Sequence, residues 1–386
     1  MTQPVKIKPD LEFIKELQEV GGESLKKCYQ CATCSVACPI SPHSQPYPRK
    51  EMVWAQWGLK DKLMTDPDIW LCHNCGNCSD LCPRGASPSD LISAVRNMVY
   101  KKLSAPSIIG KWLSSPVYLP ILIAIPAILF FIVWKIMANA WHGGQMIPSG
   151  KIVYGNIFYG NYTIDPIFGA VFLFVAFTFW NGSRKLIKSF KPEGTTLVLG
   201  KQKHWVYHLI DVIKDEIATH KKFQDCGSDK SERKLGHMSL FYGFIALMIV
   251  TGTIAVGHWG GYIIPAISIH TPLEWFNPIK ILANVGTILL LIGLTLLTKR
   301  RLALEPKKTQ SHWYDWYLLY VIWAVGITGV LSQILRLANI PNLAFPVYYL
   351  HLIAVFMLIA YLPWSKLGHL VYRTVALTYV RSIGRR

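Results

Sequence analysis

The sequence predicts an all-α protein in two parts, a soluble head of residues 1–115 and a membrane domain of residues 116–386. Three observations lead to this prediction. Eight of the nine cysteines lie between Cys28 and Cys82. Beyond the head the chain holds several runs of about 20 apolar residues, the length that spans a bilayer as a helix. The segments around the cysteines have helical periodicity and no strong strand pattern.

Composition and charge agree with a membrane protein and argue against a nucleic-acid-binding one. Hydrophobic residues make up 52% of the 386 positions, the mean hydropathy is +0.29, and the formal net charge is +18. The cations lie in loops on one side of the apolar segments and do not form a stripe with stacking aromatics, so the charge indicates membrane topology. Charged residues interrupt the first segment from Lys6 to Glu12, which gives no expectation of a secretory signal.

The cysteines repeat one spacing, C-x2-C-x2-C-x3-C-P, ending at Pro39 in the first copy and at Pro83 in the second. Three closely spaced thiolates fit three corners of one cubane, and in two-cluster ferredoxins the fourth cysteine binds the other cluster. The spacing therefore predicts two [4Fe-4S] clusters. The expected ligand sets are Cys28, Cys31, Cys34 and Cys82 for one cluster, and Cys72, Cys75, Cys78 and Cys38 for the other.

Zinc sites and disulfides are the competing interpretations of these cysteines. Zinc binds four ligands, commonly in CxxC pairs, and needs neither a third closely spaced cysteine nor the trailing proline. Disulfides require an oxidising compartment. Cys226 belongs to neither motif and is expected to be a spare thiol.

The pattern of the head favours an α-helical ferredoxin over the small βαβ type. We expect a helix over residues 9–20, a second over 49–63 and a third from Ser89 to Leu103, with Ser89 as its N-cap. His73 lies between two cysteines. It is expected to be a solvent-exposed neighbour of the cluster, with hydrogen bonding to cluster sulfur as the alternative.

The membrane domain is predicted to contain six spanning helices, with the head, two cytoplasmic loops and the C-terminus on one side. Their predicted bounds are 117–137, 166–185, 237–257, 278–298, 314–335 and 346–365. Loops and tail on the side of the head hold 22 Lys and Arg, against four on the opposite side. The positive-inside rule makes the side with 22 cytoplasmic, which predicts a multi-pass protein of the cytoplasmic membrane.

A long loop on the cytoplasmic side has an amphipathic pattern over residues 201–223. Apolar residues fall on one face, which predicts an interfacial helix lying along the membrane. Within it, His204, His208 and His220 are expected to be surface or interfacial histidines.

Histidines in or near spanning helices are candidate haem ligands, because desolvating an imidazole requires a partner. His351 and His369 are 18 residues apart, which is five whole helical turns or about 27 Å. If the helix continues past Pro363, both project from one face near opposite membrane surfaces. That spacing suits two haems stacked across the bilayer.

The expected ligand pairs follow from this placement. His237 opens the third spanning helix on the cytoplasmic side and is expected to pair with His369 around an inner haem. His258 is the first choice as partner of His351 for an outer haem. The competitors are His142, His270 and, more weakly, Met248, which fits better as a core residue.

Two segments resemble known families. The segment from Pro48 to Arg84, PRKEMVWAQWGLKDKLMTDPDIWLCHNCGNCSDLCPR, resembles the C subunits of quinone-interacting membrane-bound oxidoreductase complexes, which fuse parts similar to the C and E subunits of heterodisulfide reductase. The segment YYLHLIAVFMLIAYLPWSKLGHL around His351 and His369 is similar to the gamma subunit of respiratory nitrate reductase, a cytochrome b. In the gamma-subunit pattern a second histidine stands where this chain has Leu247.

The resemblance implies an electron-transfer subunit. Electrons would pass between a membrane quinone, expected to be menaquinone, and cytoplasmic flavin and iron–sulfur partners, A-like and B-like, with adenylylsulfate reductase as the soluble endpoint in sulfur metabolism. The sequence offers no acid–base or nucleophilic constellation for independent substrate chemistry. The quinone pocket is expected near the outer haem, with Tyr262, His270 and Glu274 as proton-handling candidates.

Two other functions stay open. One is a heterodisulfide-reductase-like or sulfite-reductase-associated membrane module, which would keep the clusters and haem but change the partners. The other is a haem-free iron–sulfur anchor or redox sensor, whose clusters report on the redox state and do not conduct.

Overall fold

The structure is a computed structural model. It describes residues 8–41, 46–148, 150–158, 160, 162–190, 204–220, 231–303 and 312–384, with the side chains of 231–233 also outside the description. None of the described residues is in a β-strand, and an all-α fold is confirmed for this part of the chain. Cys226 and the two ends of the predicted helix 201–223 lie outside the described residues.

Seven short helices form the head and its connection to the membrane domain. They are α1 Leu11–Leu17, α2 Thr33–Val36, α3 Arg49–Gln56, α4 Lys60–Thr65, α5 Asn77–Asp80, α6 Pro88–Leu103 and α7 Ser107–Leu113. α6 is the longest of them, and most of its side chains are buried among the others. The two cysteine motifs pair through α2 and α5, which contact each other.

Two predicted details of the head are wrong. The helix predicted over 49–63 is two helices, because the chain turns at Gly58, whose φ of +64° favours glycine. Ser87, not Ser89, is the N-cap of α6, since Pro88 occupies the first helical position, where a missing N–H costs nothing. The Ser89 hydroxyl lies instead 2.7 Å from the hydroxyl of Ser79, at the end of the second cysteine motif.

A buried cluster of charges ties α3 to the segment before the second motif. The Lys50 ammonium lies 2.5 Å from Asp66, 2.7 Å from Asp68 and 3.5 Å from Glu51. Glu51 and Asp68 are fully buried. Three carboxylates face one ammonium, so these four groups carry excess negative charge when all are ionised, and protonation of a carboxyl reduces that excess.

Among the described residues, six helices are long and apolar enough to cross a membrane, the number predicted from the sequence. The spans are Pro116–Trp141, Ile164–Ser189, Lys234–Gly261, Pro278–Ala303, Trp313–Leu337 and Pro341–Ala360. They correspond to the helices α8 Leu119–Trp141, α10 Ile164–Ser189, α12 Ser231–Gly261, α13 Pro278–Ala303, α14 Trp313–Leu337 and α15 Pro341–Ala360. Between them lie the short α9 Tyr154–Phe158 and α11 Trp205–Val212, and α16 His369–Ser382 follows the last span.

Glycines bring α12 and α13 into close contact. A Cβ at Gly243 would lie 2.7 Å from the backbone nitrogen of Leu290, and one at Gly286 would lie 2.9 Å from Cβ of Ala246. Small residues at such positions let two backbones approach within a membrane, where packing replaces the hydrophobic effect between helices. The two helices therefore form one tight hairpin.

The last spanning helix does not continue to His369, and this part of the sequence prediction is wrong. α15 ends at Ala360, two three-residue 3₁₀ turns follow, and α16 begins at His369. Pro363 lies in the first turn, where it cannot continue an α-helix. His351 and His369 therefore stand on two helices, and the argument from one shared helix face does not apply.

The head and the membrane domain share one hydrophobic core. The core of the head runs from Phe13 to Leu103 and also includes Leu186 at the end of α10, Val212 of α11, and Tyr372 and Val380 of α16. The head, α11 and the C-terminal helix α16 thus lie on one side of the described spans.

α11 packs against α16 but leaves an apolar face uncovered. Trp205, Tyr207 and Ile210 are more than half exposed. An exposed apolar face beside spanning helices is typical of an interfacial helix.

Candidate functional site

The eight motif cysteines lie in two groups, and each group contains three cysteines of one motif and the last cysteine of the other. Group one contains Cys28, Cys31, Cys34 and Cys82, whose thiols influence one another electrostatically. Group two contains Cys72, Cys75, Cys78 and Cys38, related in the same way. The fold therefore brings the last cysteine of each motif to the first three of the other.

The thiols are held where their charged form is costly. Burial, followed by the neighbouring thiols, raises the pKa of Cys34 to about 11. Burial also raises the pKa of Cys38 to about 11 and that of Cys78 well above its usual value. Packed thiolates repel one another unless positive charge lies among them, and cluster iron supplies that charge while requiring four thiolates. The donor set fits a four-iron cluster in each group.

The two groups differ in exposure. Cys31 is exposed, and the hydroxyl of Thr33, 3.3 Å from its Sγ, lowers the pKa of this thiol by hydrogen bonding. Cys72 is buried and its sulfur accepts a hydrogen bond from the backbone N–H of Asn74. Group one is therefore nearer to solvent, and Cys72 lies in the interior.

A cavity lies between group two and the membrane helices, and we call it the central cavity. It encloses about 1280 Å³, including its open side. Cys72, His73 and Arg96 of the head line one part of it, and α12 and α16 contribute His237, Leu240, His369 and Arg373 to the rest. The structure thus brings His237 and His369, expected to pair, to one space.

His369 is oriented as metal-bound histidines usually are. Its Nδ1 lies 2.5 Å from the carbonyl oxygen of Lys366 and must donate to it, since a carbonyl only accepts. This bond leaves Nε2 with its lone pair available, the arrangement that typically accompanies metal ligation. Burial lowers the pKa of the His369 imidazole to about 4, so the ring is neutral at physiological pH.

The carbonyl that orients His369 is itself held in place. The Lys366 ammonium forms an ion pair with Asp315 at the start of α14, and Asp315 also lies 3.3 Å from Arg301 at the end of α13. Asp315 is buried. Two spanning helices, α13 and α14, thereby hold the turn before His369.

Two residues of the central cavity were not expected there. His220, predicted to be a surface or interfacial histidine, lines it, and its ring centroid is 4.8 Å from that of His237. His73, predicted to be solvent-exposed, is 8% exposed. Its Nδ1 accepts a hydrogen bond of 2.9 Å from Nη2 of Arg373, because a guanidinium can only donate. Sequence spacing contained no signal for either, since both contacts join segments that the pattern does not relate.

The outer histidines are not brought together in the same way. The hydroxyl of Thr328 donates to Ala324, so it accepts from Nδ1 of His351 across 3.0 Å, leaving Nε2 of His351 available. His258 packs instead against the rings of Trp259 and Tyr262. Among the described residues no ring contact or hydrogen bond joins His258 to His351.

The remaining candidates lie at exposed positions or are bonded elsewhere. His142 contacts the Asn156 carbonyl at 3.2 Å, and His270 contacts the Ser268 hydroxyl at 3.3 Å. Tyr262 and Glu274 are exposed or nearly so. Met248 is 67% exposed, so its expected place in the core is wrong.

The comparisons with known proteins concern the head. Residues 24–86 match the family model described as a 4Fe-4S dicluster domain. The C subunit of the H(2):CoB-CoM heterodisulfide,ferredoxin reductase of Methanothermobacter marburgensis is 38% identical over 93 residues, 24% of this chain and 50% of that protein. A protein of Archaeoglobus profundus, named as similar to the C subunit of heterodisulfide reductase, is 35% identical over 98 residues, 25% of this chain and 50% of that protein.

The chain spans about half the length of the curated relatives it matches. A third relative, the C subunit of the ferredoxin:CoB-CoM heterodisulfide reductase of Methanosarcina mazei, is 30% identical over 91 residues, 24% of this chain and 55% of that protein. No solved structure matches the chain. The head is thus an iron–sulfur domain related to the C subunits of multisubunit reductases, attached to six helices that can span a membrane.

Proposed function

We propose that this protein is the membrane electron-transfer subunit of a quinone-interacting oxidoreductase. Residues 1–115 form a cytoplasmic ferredoxin domain with two [4Fe-4S] clusters, and residues 116–386 form a cytochrome b-like domain. The observation that carries this proposal is the central cavity, which joins the second thiol group to two histidines on separate helices of the membrane domain. An electron carrier bound there would lie between the clusters and the membrane.

The thiols of group one and group two each hold one cluster. Their crossed arrangement and their raised pKa values support this assignment, because a cluster needs four thiolates and its iron offsets their repulsion. Bound clusters accept and release single electrons. The exposed Cys31 makes group one the more accessible point for exchange with a soluble partner.

His237 and His369 would hold the iron of an inner haem b, His369 through its Nε2. The hydrogen bond from Nδ1 of His369 to the Lys366 carbonyl fixes the ring for this role. When bound, haem b supplies a one-electron carrier beside group two. His220 is a neighbour of His237 in the same wall and a competing ligand, which the ligand variants below separate.

An outer haem would be held by His351, with His258 as the first choice of partner. The hydrogen bond between Thr328 and Nδ1 of His351 orients the ring and leaves its Nε2 available, as the Lys366 carbonyl does for His369. A quinone, with menaquinone the expected species, would react near this end, where Tyr262, His270 and Glu274 lie on the side away from the head. In this orientation the head and C-terminus face the cytoplasm, as the Lys and Arg distribution predicts.

The partners of the head are cytoplasmic flavin and iron–sulfur subunits, A-like and B-like, with adenylylsulfate reductase as the endpoint. The names of the relatives, each from a multisubunit reductase, support partner subunits in general. A heterodisulfide-reductase-like or sulfite-reductase-associated module would use the same clusters and haem. Purification of the intact complex and identification of its subunits distinguishes these choices.

Haem content tests the proposal against the haem-free anchor or sensor. The purified protein is expected to contain haem b, and a reduced menaquinone analogue should reduce both haem and clusters, followed by optical and EPR spectra. His237→Ala should lose the inner haem and His220→Ala should keep it. Protein purified with full clusters and no haem b would overturn the conduit function.

A further inference from the structure

The central cavity is lined by two guanidinium groups, a buried one of Arg96 and a partly buried one of Arg373, that make no ion pair with any described residue. Arg96, 9% exposed, donates from Nη1 to the Cys72 carbonyl at 3.1 Å. Arg373 donates from Nε to the Trp70 carbonyl at 3.1 Å and from Nη2 to His73. Each guanidinium has about five N–H donors, so both keep donors unused by these partners.

The acidic groups nearby are engaged with other cations. Glu216, which also lines the cavity, lies 3.4 Å from Nη2 of Arg381. Asp315 pairs with Lys366 and Arg301. The wall between the head and α16 therefore carries excess positive charge among the described residues.

Excess charge of one sign in a buried site is costly unless an anion lies against it. Burial and then the neighbouring Arg96 lower the pKa of Arg373, which shows that the two cations repel each other. Even a lowered arginine pKa leaves the side chain charged at neutral pH. A carboxylate is an anion that planar guanidinium groups bind well, through paired hydrogen bonds.

The position of Arg373 indicates where this anion is attached. Arg373 follows His369 by four residues in α16, so the two lie one turn apart on the same helix face, and both line the cavity. A cofactor held by His369 would present groups to Arg373 within the same space. Haem b carries two carboxylates, its propionates, on one edge.

We infer that Arg373 and Arg96 form an anion site for the propionates of the inner haem, on the cavity wall next to group two. The inference rests on the proposed haem site. The negative charge of the cluster in group two is the other source of an anion for these guanidinium groups. If the anion is a haem propionate, replacing Arg373 alters haem binding. If the anion is the cluster, replacing Arg373 alters the EPR spectrum or potential of the cluster.

Haem and haem dimethyl ester separate the two sources, because the ester lacks the carboxylate charges. Full-length protein made under haem limitation is titrated with each ligand and the Soret band is followed. The wild type is expected to bind haem at least about tenfold more tightly than the ester. Arg373→Gln should remove this preference, and Arg373→Lys should keep part of it.

Arg381→Gln is the matched control, since Arg381 lies on the same helix but pairs with Glu216 and Asp215. It should keep the preference for haem. Arg96→Gln provides a second test if Arg373→Gln fails to fold. Equal binding of haem and ester by the wild type would overturn the inference and leave the proposed haem site standing.

Two further outcomes are distinct. A preference that survives in Arg373→Gln and in Arg96→Gln, together with a shifted EPR spectrum or potential of the cluster, would assign the guanidinium groups to the cluster and overturn the inference. Failure of the wild type to bind either ligand would refute the proposed haem site itself.

Discussion

The hydroxyl of Tyr372 donates to the hydroxyl of Ser104 across 3.0 Å, joining the C-terminal helix to the end of α6. The direction follows from the second bond of Ser104, whose own proton goes to the Pro363 carbonyl at 3.0 Å. Tyr372 is fully buried and also stacks on Tyr100 at 5.8 Å between ring centroids. One tyrosine thus couples the head, the turn after the last span and α16.

Substitution at Gly182 should loosen this junction. A Cβ at Gly182 of α10 would collide with the ring and hydroxyl of Tyr372. Gly182→Val is expected to destabilise the protein by about 1–3 kcal/mol, the usual cost of overpacking, measured as a lower melting temperature in detergent. Gly169→Val is the control in the same helix, because nothing lies within 4 Å of its Cβ position. An equal fall in melting temperature in both variants would show that the collision with Tyr372 is not the cause.

Replacing Cys38 should damage the cluster of the other motif. Cys38 belongs to the first motif in sequence but lies with Cys72 and Cys75 in group two. Cys38→Ser is expected to remove or convert the cluster of group two and to leave that of group one intact, as seen by EPR and iron analysis. Cys226→Ser should leave both unchanged. Loss of the group-one signal in Cys38→Ser would contradict the crossed ligand sets.

Replacing His369 should remove the inner haem. His369→Ala deletes the ring whose Nε2 is available for ligation and leaves the Lys366 carbonyl without its donor. We expect about one haem fewer per protein by pyridine haemochrome assay, with cluster EPR signals retained. His204→Ala, at an exposed position, is the control. Unchanged haem spectra in His369→Ala would refute the pairing with His237.

Glu51 should make stability depend on pH. Burial raises the pKa of Glu51 well above its usual range, against the opposing effect of Lys50. A carboxyl whose pKa rises on folding favours the folded state only below its unfolded pKa, about 4.3, and weakens it as pH rises toward the folded pKa. Glu51→Gln should therefore raise the melting temperature at about pH 8, with a smaller gain at about pH 5.

Asp61→Asn, at an exposed carboxylate, should show no such trend. A Glu51→Gln variant that is less stable than the wild type at about pH 8 would mean that Lys50 keeps Glu51 ionised in the folded protein.

The features predicted well from sequence are those set by local spacing or by length. The apolar runs predicted six spans, and the helix bounds differ by a few residues because the last turns extend past the apolar run, as at Arg301 of α13. The crossed arrangement of the thiols follows from motif spacing. Counting helix ends on one side of the membrane led to the expectation that His237 lies near His369; both line the central cavity, and their role as a ligand pair stays a prediction.

The features missed depend on contacts between distant segments. The break after Ala360 depends on Pro363 and on the Ser104 bond to its carbonyl, and a helical periodicity that resumes at His369 concealed it. The burial of His73 depends on Arg373, 300 residues away. Guanidinium groups without an ion pair produce no sequence pattern either, since their isolation is a property of the assembled cavity.

The shared core of the head and α16 bears on the timing of biogenesis. Phe13 leaves the ribosome long before Tyr372 and Val380, yet all three belong to one core. At about 5–20 residues per second, roughly 20–70 seconds separate the synthesis of its two ends. Insertion of all six helices must therefore precede closure of the head, which makes the finished iron–sulfur domain a checkpoint for complete membrane insertion.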